Sequence, residues 1–274
     1  MPELPEVETV MRGLEPVWLG QRLDGVILHR PNLRRPFPQD LGQRLTGAVI
    51  MRLHRRAKYG LMDTDRGDTL IIHLGMSGRM RVDPDTIGKH DHVVFTTGNG
   101  RTVAFNDARR FGSLDLVSSA DLAAHPLIAG IGPEPLGPEF GLGLLERAFS
   151  GRMAPAKALL LDQRLVAGLG NIYVCESLFR AGIHPATPGS HVPRPRLKAL
   201  AAVIPAVLAE AIAAGGSSLR DHAAPDGTLG YFQTGFHVYG REGAPCTACG
   251  TPVARIVQSA RSSFFCPSCQ RGRG

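Results

Sequence analysis

The sequence predicts a multidomain α+β chain: a strand-rich first part, a helical middle and a short cysteine-rich module at the end. Three observations carry that prediction. Short apolar or alternating runs, punctuated by Gly and Asp, fill most of residues 1–128. Leu, Ala and Val then recur at three- and four-residue spacing from 142 to about 216. Four of the five cysteines fall in the last thirty residues. At 274 residues the chain is long for one core and suits two or three small domains.

Pro5 and Glu6 open a first helix, on which Val7, Val10, Met11 and Leu14 recur at helical spacing. Strand-like runs follow at Gly25-Val-Ile-Leu, Ala48-Val-Ile-Met, Gly60-Leu-Met, Thr69-Leu-Ile-Ile-His, His92-Val-Val-Phe and Arg101-Thr-Val-Ala-Phe. Gly98-Asn99-Gly100 is a good hairpin turn between the last two. Many short strands at regular spacing predict a sandwich or a barrel for residues 1–128. Residues 129–141 contain Pro133, Pro135 and Pro138 among four glycines, which continue neither a helix nor a central strand, so a linker is expected there. A helical domain is expected over 142–236, ending in a Gly-, Asp- and Ser-rich loop at 217–236. Residues 237–274 form the cysteine module.

Composition narrows the function classes. Hydrophobic residues make up 43% of the chain and charged residues 20%, as in ordinary globular proteins. The formal net charge of +7 and the pI near 9.5 favour a polyanionic partner. No apolar run approaches the roughly 18 residues of a membrane span. The start Met-Pro-Glu-Leu-Pro-Glu has neither the basic end nor the apolar stretch of a signal peptide, so an intracellular, cytoplasmic protein with no membrane is expected.

Cys246-x2-Cys249 and Cys266-x2-Cys269, sixteen residues apart, have the four-cysteine zinc spacing. Each two-residue gap lets one turn aim two thiolates at a single tetrahedral ion, and the sixteen residues between suit a β-hairpin. Four thiolates leave no open position for water, so one structural Zn2+ is expected. Five arginines (Arg241, Arg255, Arg261, Arg271, Arg273) against one acid, Glu242, give the module a net +4 that suits phosphate contact. Cys175 reads as a small buried hydrophobe. His90-x-His92 has no third ligand in view and is not taken as a metal pair.

Several ordered motifs resemble one family. They are Met1-Pro-Glu-Leu-Pro-Glu-Val-Glu-Thr-Val, Arg55-Arg-Ala-Lys-Tyr59, His73-Leu-Gly-Met-Ser-Gly78, Asp107-Ala-Arg-Arg-Phe-Gly112, Gly168-Leu-Gly-Asn-Ile-Tyr173, Tyr239-Gly-Arg and the zinc spacing. Together they resemble bacterial formamidopyrimidine-DNA glycosylases from residue 2 to residue 269. The resemblance implies a β-sandwich, then a helix–two-turn–helix domain, then a zinc finger. It implies a monomer acting on double-stranded DNA with oxidised purine lesions, as glycosylase and abasic-site lyase.

It also implies residue roles. Pro2, freed of Met1, is the amine nucleophile; Glu3 is the proton donor and shuttle; Lys58 contacts the lesion or its phosphate. Glu6, Glu176, Arg220 and Tyr231 are lesion-site residues, the last two on the 217–236 loop. Glu6 is explained nearly as well by charge compensation at its helix start, and Glu176 equally by a structural task. Met76, Arg109 and Phe111 fill the gap left by an extruded nucleotide, with Arg109 facing the orphaned base. Lys157, Asn171 and Arg261 hold phosphates, Asn171 at a glycine-preceded helix start. The alternatives are a Nei-type enzyme for oxidised pyrimidines and a zinc-finger DNA-binding protein without catalysis.

Overall fold

The computed structural model describes residues 1–217 and 224–272. The chain divides into two compact units, Met1–Ala129 with Ile212–Tyr231, and Gly130–Ala211 with Phe232–Gly274.

The first unit opens with helix α1, Leu4–Trp18. Among the described residues it then holds two four-stranded antiparallel sheets. One has the order β1-β6-β7-β5, with β1 at Leu23–Leu28, β5 at Arg79–Val82, β6 at Asp91–Thr97 and β7 at Thr102–Asn106. The other has the order β2-β3-β4-β8, with β2 at Ile50–Arg56, β3 at Tyr59–Thr64, β4 at Asp68–His73 and β8 at Ser113–Ser118. Helix α2, Leu41–Leu45, lies between β1 and β2 in the chain. One core joins the inward faces of both sheets, with Leu23, Val93, Phe95, Val103 and Phe105 from one and Ile50, Met62, Leu70, Ile72 and Leu114 from the other. This is a sandwich rather than a barrel, because the two sheets share a core without sharing a strand. Val7, Val10, Met11, Leu14 and Trp18 of α1 enter the same core, and Trp18 meets Phe95 edge-on at 5.3 Å. Burying each such side chain stabilises the fold by about 1.5–3 kcal/mol.

Helix α2, strands β5 and β8 and a 3-10 turn at Ser119–Ala124 lie outside the sequence-predicted runs. The 98–100 turn is as expected. Thr97 N–H donates to Arg101 O at 2.9 Å, and Gly100 takes a φ of +82°, which favours glycine.

In the second unit the helical stretch breaks into α3 (Leu142–Phe149), α4 (Ala156–Leu161), α5 (Asn171–Arg180) and α6 (Arg194–Ala213). The 130–141 stretch has neither helix nor strand. It is pinned: Gly132 N–H donates to Gln163 O at 2.8 Å, and Ala167 N–H to Pro133 O at 3.0 Å. Strands β9 (Ala254–Gln258) and β10 (Arg261–Phe265) form the expected hairpin between the two cysteine pairs. Cys175 and Phe179 of α5 share a small core with Val238, Val253, Cys246 and Cys266, so the cysteine module packs on α5. Among the described residues no helix is long and apolar enough to cross a membrane.

Candidate active site and nucleic-acid contacts

The chain start is fixed by the cap of α1. Glu3 is the N-cap, and its N–H donates to Glu6 Oε2 at 2.8 Å while Glu6 N–H is bonded by the Glu3 side chain. Pro2, Glu3 and Glu6 are buried, whereas Met1 is half exposed. Glu6 has a second task. Its Oε1 accepts both the N–H and the hydroxyl of Ser217 at 2.9 Å, fastening the start of the glycine-rich loop to the helix start. The neck of that loop is closed by a bridge between Ser217 and Tyr231. Gly230 belongs there, since a Cβ on it would lie 2.3 Å from Gly216 O. Farther along, Pro225 O accepts Val82 N–H at 2.9 Å. Tyr231 is exposed at 69%. Arg220 lies outside the described residues.

Lys58 stands at the β2–β3 turn, which Ala57 makes with a φ of +52°. The turn is tied to α1 by Arg55, whose Nε donates to Glu8 at 3.1 Å and whose Nη1 donates to Ala57 O. Gly60 in β3 packs against Met11 of α1, where a Cβ would lie 2.4 Å from Met11 Sδ. Burial, reinforced by Lys58, Arg34 and Arg35, pushes the pKa of the His73 imidazole down to about 4. The same two arginines act against the burial that raises the Tyr59 phenol. Sequence reasoning did not single out Arg34, Arg35 or His73. The signal available was an Arg-Arg pair between Pro31 and Pro36, and a histidine opening one of the quoted motifs.

Met76, Arg109 and Phe111 come together on two loops of the first unit, 74–78 and 107–112. Met76 and Phe111 are large apolar side chains left 40% exposed. The Arg109 guanidinium lies 5.2 Å from the centre of the Phe111 ring. Gly75, at a φ of +62°, lets the loops touch: a Cβ there would lie 2.3 Å from the Phe111 carbonyl carbon.

In the second unit the expected phosphate residues also converge. Asn171 opens α5 and donates through Nδ2 to Ser262 O at 2.9 Å. Lys157 is almost wholly buried, and its Nζ donates to the same Ser262 O at 2.8 Å and to Ser263 Oγ at 2.7 Å. Both therefore brace the strand start where Arg261 stands exposed. Glu176, expected near the lesion, is buried on α5. Its Oε2 accepts His237 N–H, and its Oε1 accepts Val238 and Tyr239 N–H, at 2.8–3.0 Å. Its carboxylate braces the chain that leads into the cysteine module.

The four cysteines place one sulfur each within 4.8 Å of one another. As free thiols they would share protons. Hydrogen bonding with Thr251 draws Cys249 down to about 6, and hydrogen bonding to Cys249 pushes Cys269 up to about 12. A dication suits such a set because it replaces those protons, and four sulfurs match tetrahedral zinc. Gln270 secures the second pair, accepting Cys266 N–H through Oε1 and donating to Ile183 O. Among the described residues no metal-ligand group forms around His90 and His92; His92 Nε2 bonds to Asp107 O at 2.8 Å.

Comparison with known proteins matches this layout. Residues 1–114 fit the formamidopyrimidine-DNA glycosylase N-terminal domain, 131–223 the formamidopyrimidine-DNA glycosylase H2TH domain, and 243–272 the zinc finger found in FPG and IleRS. The chain is 59% identical to a formamidopyrimidine-DNA glycosylase of Novosphingobium aromaticivorans, over 99% of this chain and all of that one. It is similar to the crystal structure of the MutM (FPG) protein from Thermus thermophilus, with 42% identity, a TM-score of 0.90 and full coverage of both chains. It is also similar to a Lactococcus lactis FPG mutant in complex with Fapy-dG containing DNA, with 35% identity and a TM-score of 0.92 over 98% of this chain and all of that one. With domain models matching in order along the chain and a full-length relative at 59% identity, the chain belongs to the formamidopyrimidine-DNA glycosylase family.

Proposed function

We propose that this chain is a base-excision DNA glycosylase for oxidised purines, 8-oxoguanine and formamidopyrimidines, and that it also cleaves the resulting abasic site as a lyase. The observation that carries the reading is the chain start, where the cap of α1 holds Pro2 and Glu3 in a fixed, buried setting. Family membership supports it, as does the likeness to a relative bound to Fapy-dG containing DNA.

Loss of Met1 leaves Pro2 as a secondary amine, and α-amino groups, with pKa values of about 8, are partly free base at neutral pH. The nitrogen lone pair attacks the sugar C1′, the bond from C1′ to the damaged base breaks, and the base leaves with a proton. Glu3 protonates the ring oxygen as the sugar opens, and the nitrogen–C1′ link becomes an iminium cation. That cation draws electrons from C2′, so a C2′ proton is lost and the 3′ phosphate departs by β-elimination. A second, δ-elimination releases the 5′ phosphate, and water frees Pro2.

The other residues hold the substrate. Arg34 and Arg35, exposed, offer positive charge to the backbone beside the lesion, and the buried Lys58 adds its charge behind them. Met76 and Phe111 replace lost stacking, and Arg109 donates to the orphaned base. Tyr231 and Arg220 belong to a loop that covers the extruded base, with Glu6 holding its start. In the second unit Arg261 and the start of α5 meet phosphates, while Lys157 acts behind Arg261. Zinc on Cys246, Cys249, Cys266 and Cys269 supplies structure and no reactive water. One chain in the cell interior suffices for this chemistry.

The test compares strand cleavage on duplexes carrying 8-oxoguanine opposite cytosine with duplexes carrying thymine glycol. Preference for 8-oxoguanine is expected, with phosphate at both ends of the resulting gap. Preference for thymine glycol would instead assign the Nei-type specificity, and cleavage of neither would leave a non-catalytic DNA-binding protein.

A further inference from the structure

The Asp107 carboxylate is fully buried, and no step above uses it. Burying an ionised carboxylate is costly unless hydrogen bonds replace its water. Here Oδ1 accepts the Ser77 hydroxyl at 2.6 Å and Oδ2 accepts Gly112 N–H at 2.7 Å. The Ser77 hydroxyl donates its one hydrogen to Asp107, so its oxygen can still accept, and it takes Arg109 N–H at 3.1 Å. The Asp107 carbonyl accepts His92 Nε2 and Arg110 N–H, and its own N–H donates to His90 O. One side chain thus ties loop 74–78 to both ends of loop 107–112. Met76 is clamped from two sides: Gly75 touches the Phe111 backbone, and Ser77 bonds to Asp107.

We propose that Asp107, acting through Ser77 and Gly112, is a positioning residue that presets the spacing of Met76, Arg109 and Phe111, so that the three enter the gap left by an extruded nucleotide as one rigid wedge. The inference rests on the wedge reading of those three residues. Preorganisation matters because the wedge must replace stacking at the moment the base leaves, and a displacement near 1 Å can cost about a hundredfold in rate.

Two variants separate this role from general stability. Asp107→Asn keeps an acceptor for Ser77 but turns an NH2 group towards Gly112 N–H. Ser77→Ala removes the link and leaves the Arg109 N–H without its acceptor. Each is assayed on 8-oxoguanine in duplex DNA, which requires extrusion and gap filling, and on a preformed abasic site in single-stranded DNA, which requires neither. Both variants are expected to slow duplex excision about tenfold or more and to leave borohydride trapping on the single strand within about twofold. The double variant is expected to be no slower than the slower single variant, because the residues act as one link. Should Asp107→Asn fail to fold, Ser77→Ala carries the test. Equal losses on both substrates, or none on either, would overturn the proposal. Met76→Ala and Phe111→Ala run alongside: if they leave duplex excision unchanged, the wedge reading itself fails, whereas slow wedge variants beside a normal Asp107→Asn sink only the role of Asp107.

Discussion

His73 is held neutral by burial first and by Lys58, Arg34 and Arg35 second, with its pKa pushed down to about 4. The sign of the linkage follows. In the unfolded chain the imidazole takes up a proton near its ordinary 6.5, while the folded chain resists until about 4. The unfolded state therefore binds more protons across that window, and stability present above pH 6.5 is lost as pH falls towards 4. The loss attributable to His73 is up to roughly 3 kcal/mol. Denaturant unfolding at several pH values should show wild type losing more stability than His73→Gln between pH 6.5 and 4; parallel curves would refute the role of His73. The Arg34-Arg35 pair, Lys58 and His73 were each visible in the sequence, but their grouping was not, because these three places in the chain meet only after folding. Asp107 was equally silent: a motif gave its position, but its three-way tie depends on two loops meeting.

The elements that could be read in the sequence were those with a period. Helix α1 followed from its apolar spacing, six strands from apolar or alternating runs, and the β9–β10 hairpin from the cysteine spacing. Strand β5 is four residues, Arg-Met-Arg-Val, too short and too charged to give a pattern. Strand β8 does alternate, with Leu114 and Leu116 buried around Asp115, but it follows directly on the Gly112 loop, which masks its start. Helix α5 carries a prediction of its own. Replacing Glu176 by Gln leaves one oxygen and an NH2 group facing three main-chain N–H donors, so about 1–3 kcal/mol should be lost. Thermal unfolding should show a lowered midpoint, with faster amide exchange at 237–239 and one zinc still bound. Unchanged exchange there would remove Glu176 as the brace. Strand β10 carries another: if Arg261 holds one phosphate, Arg261→Ala should reduce the salt dependence of DNA binding by about one unit of slope. An unaltered slope would take Arg261 out of the contact set.

For the whole molecule, the order of sandwich, helical domain and zinc module was legible because each has its own signature: alternation, helical spacing and cysteine spacing. The return of Ile212–Tyr231 to the first unit was not, since Glu6–Ser217 and Val82–Pro225 are contacts between distant parts of the chain. The apolar residues of the zinc module share one small core with Cys175 and Phe179 of α5, and structural zinc contributes on the order of 10 kcal/mol to such folds. Chelation should therefore release one zinc, expose the four thiols and weaken DNA binding, while the sandwich keeps its strand signal in circular dichroism. Full DNA affinity after zinc loss would contradict the assignment of Arg261 to a zinc-supported contact.

The central claim is covalent catalysis by the amine of Pro2, and borohydride trapping on an 8-oxoguanine duplex tests it most directly. A stable protein–DNA adduct is expected, its mass spectrum locating the sugar on residue 2, and the adduct should be lost when Met1 or an N-terminal tag is retained. A trapped adduct on any other residue, or an equal yield with Met1 in place, would contradict catalysis by the Pro2 amine.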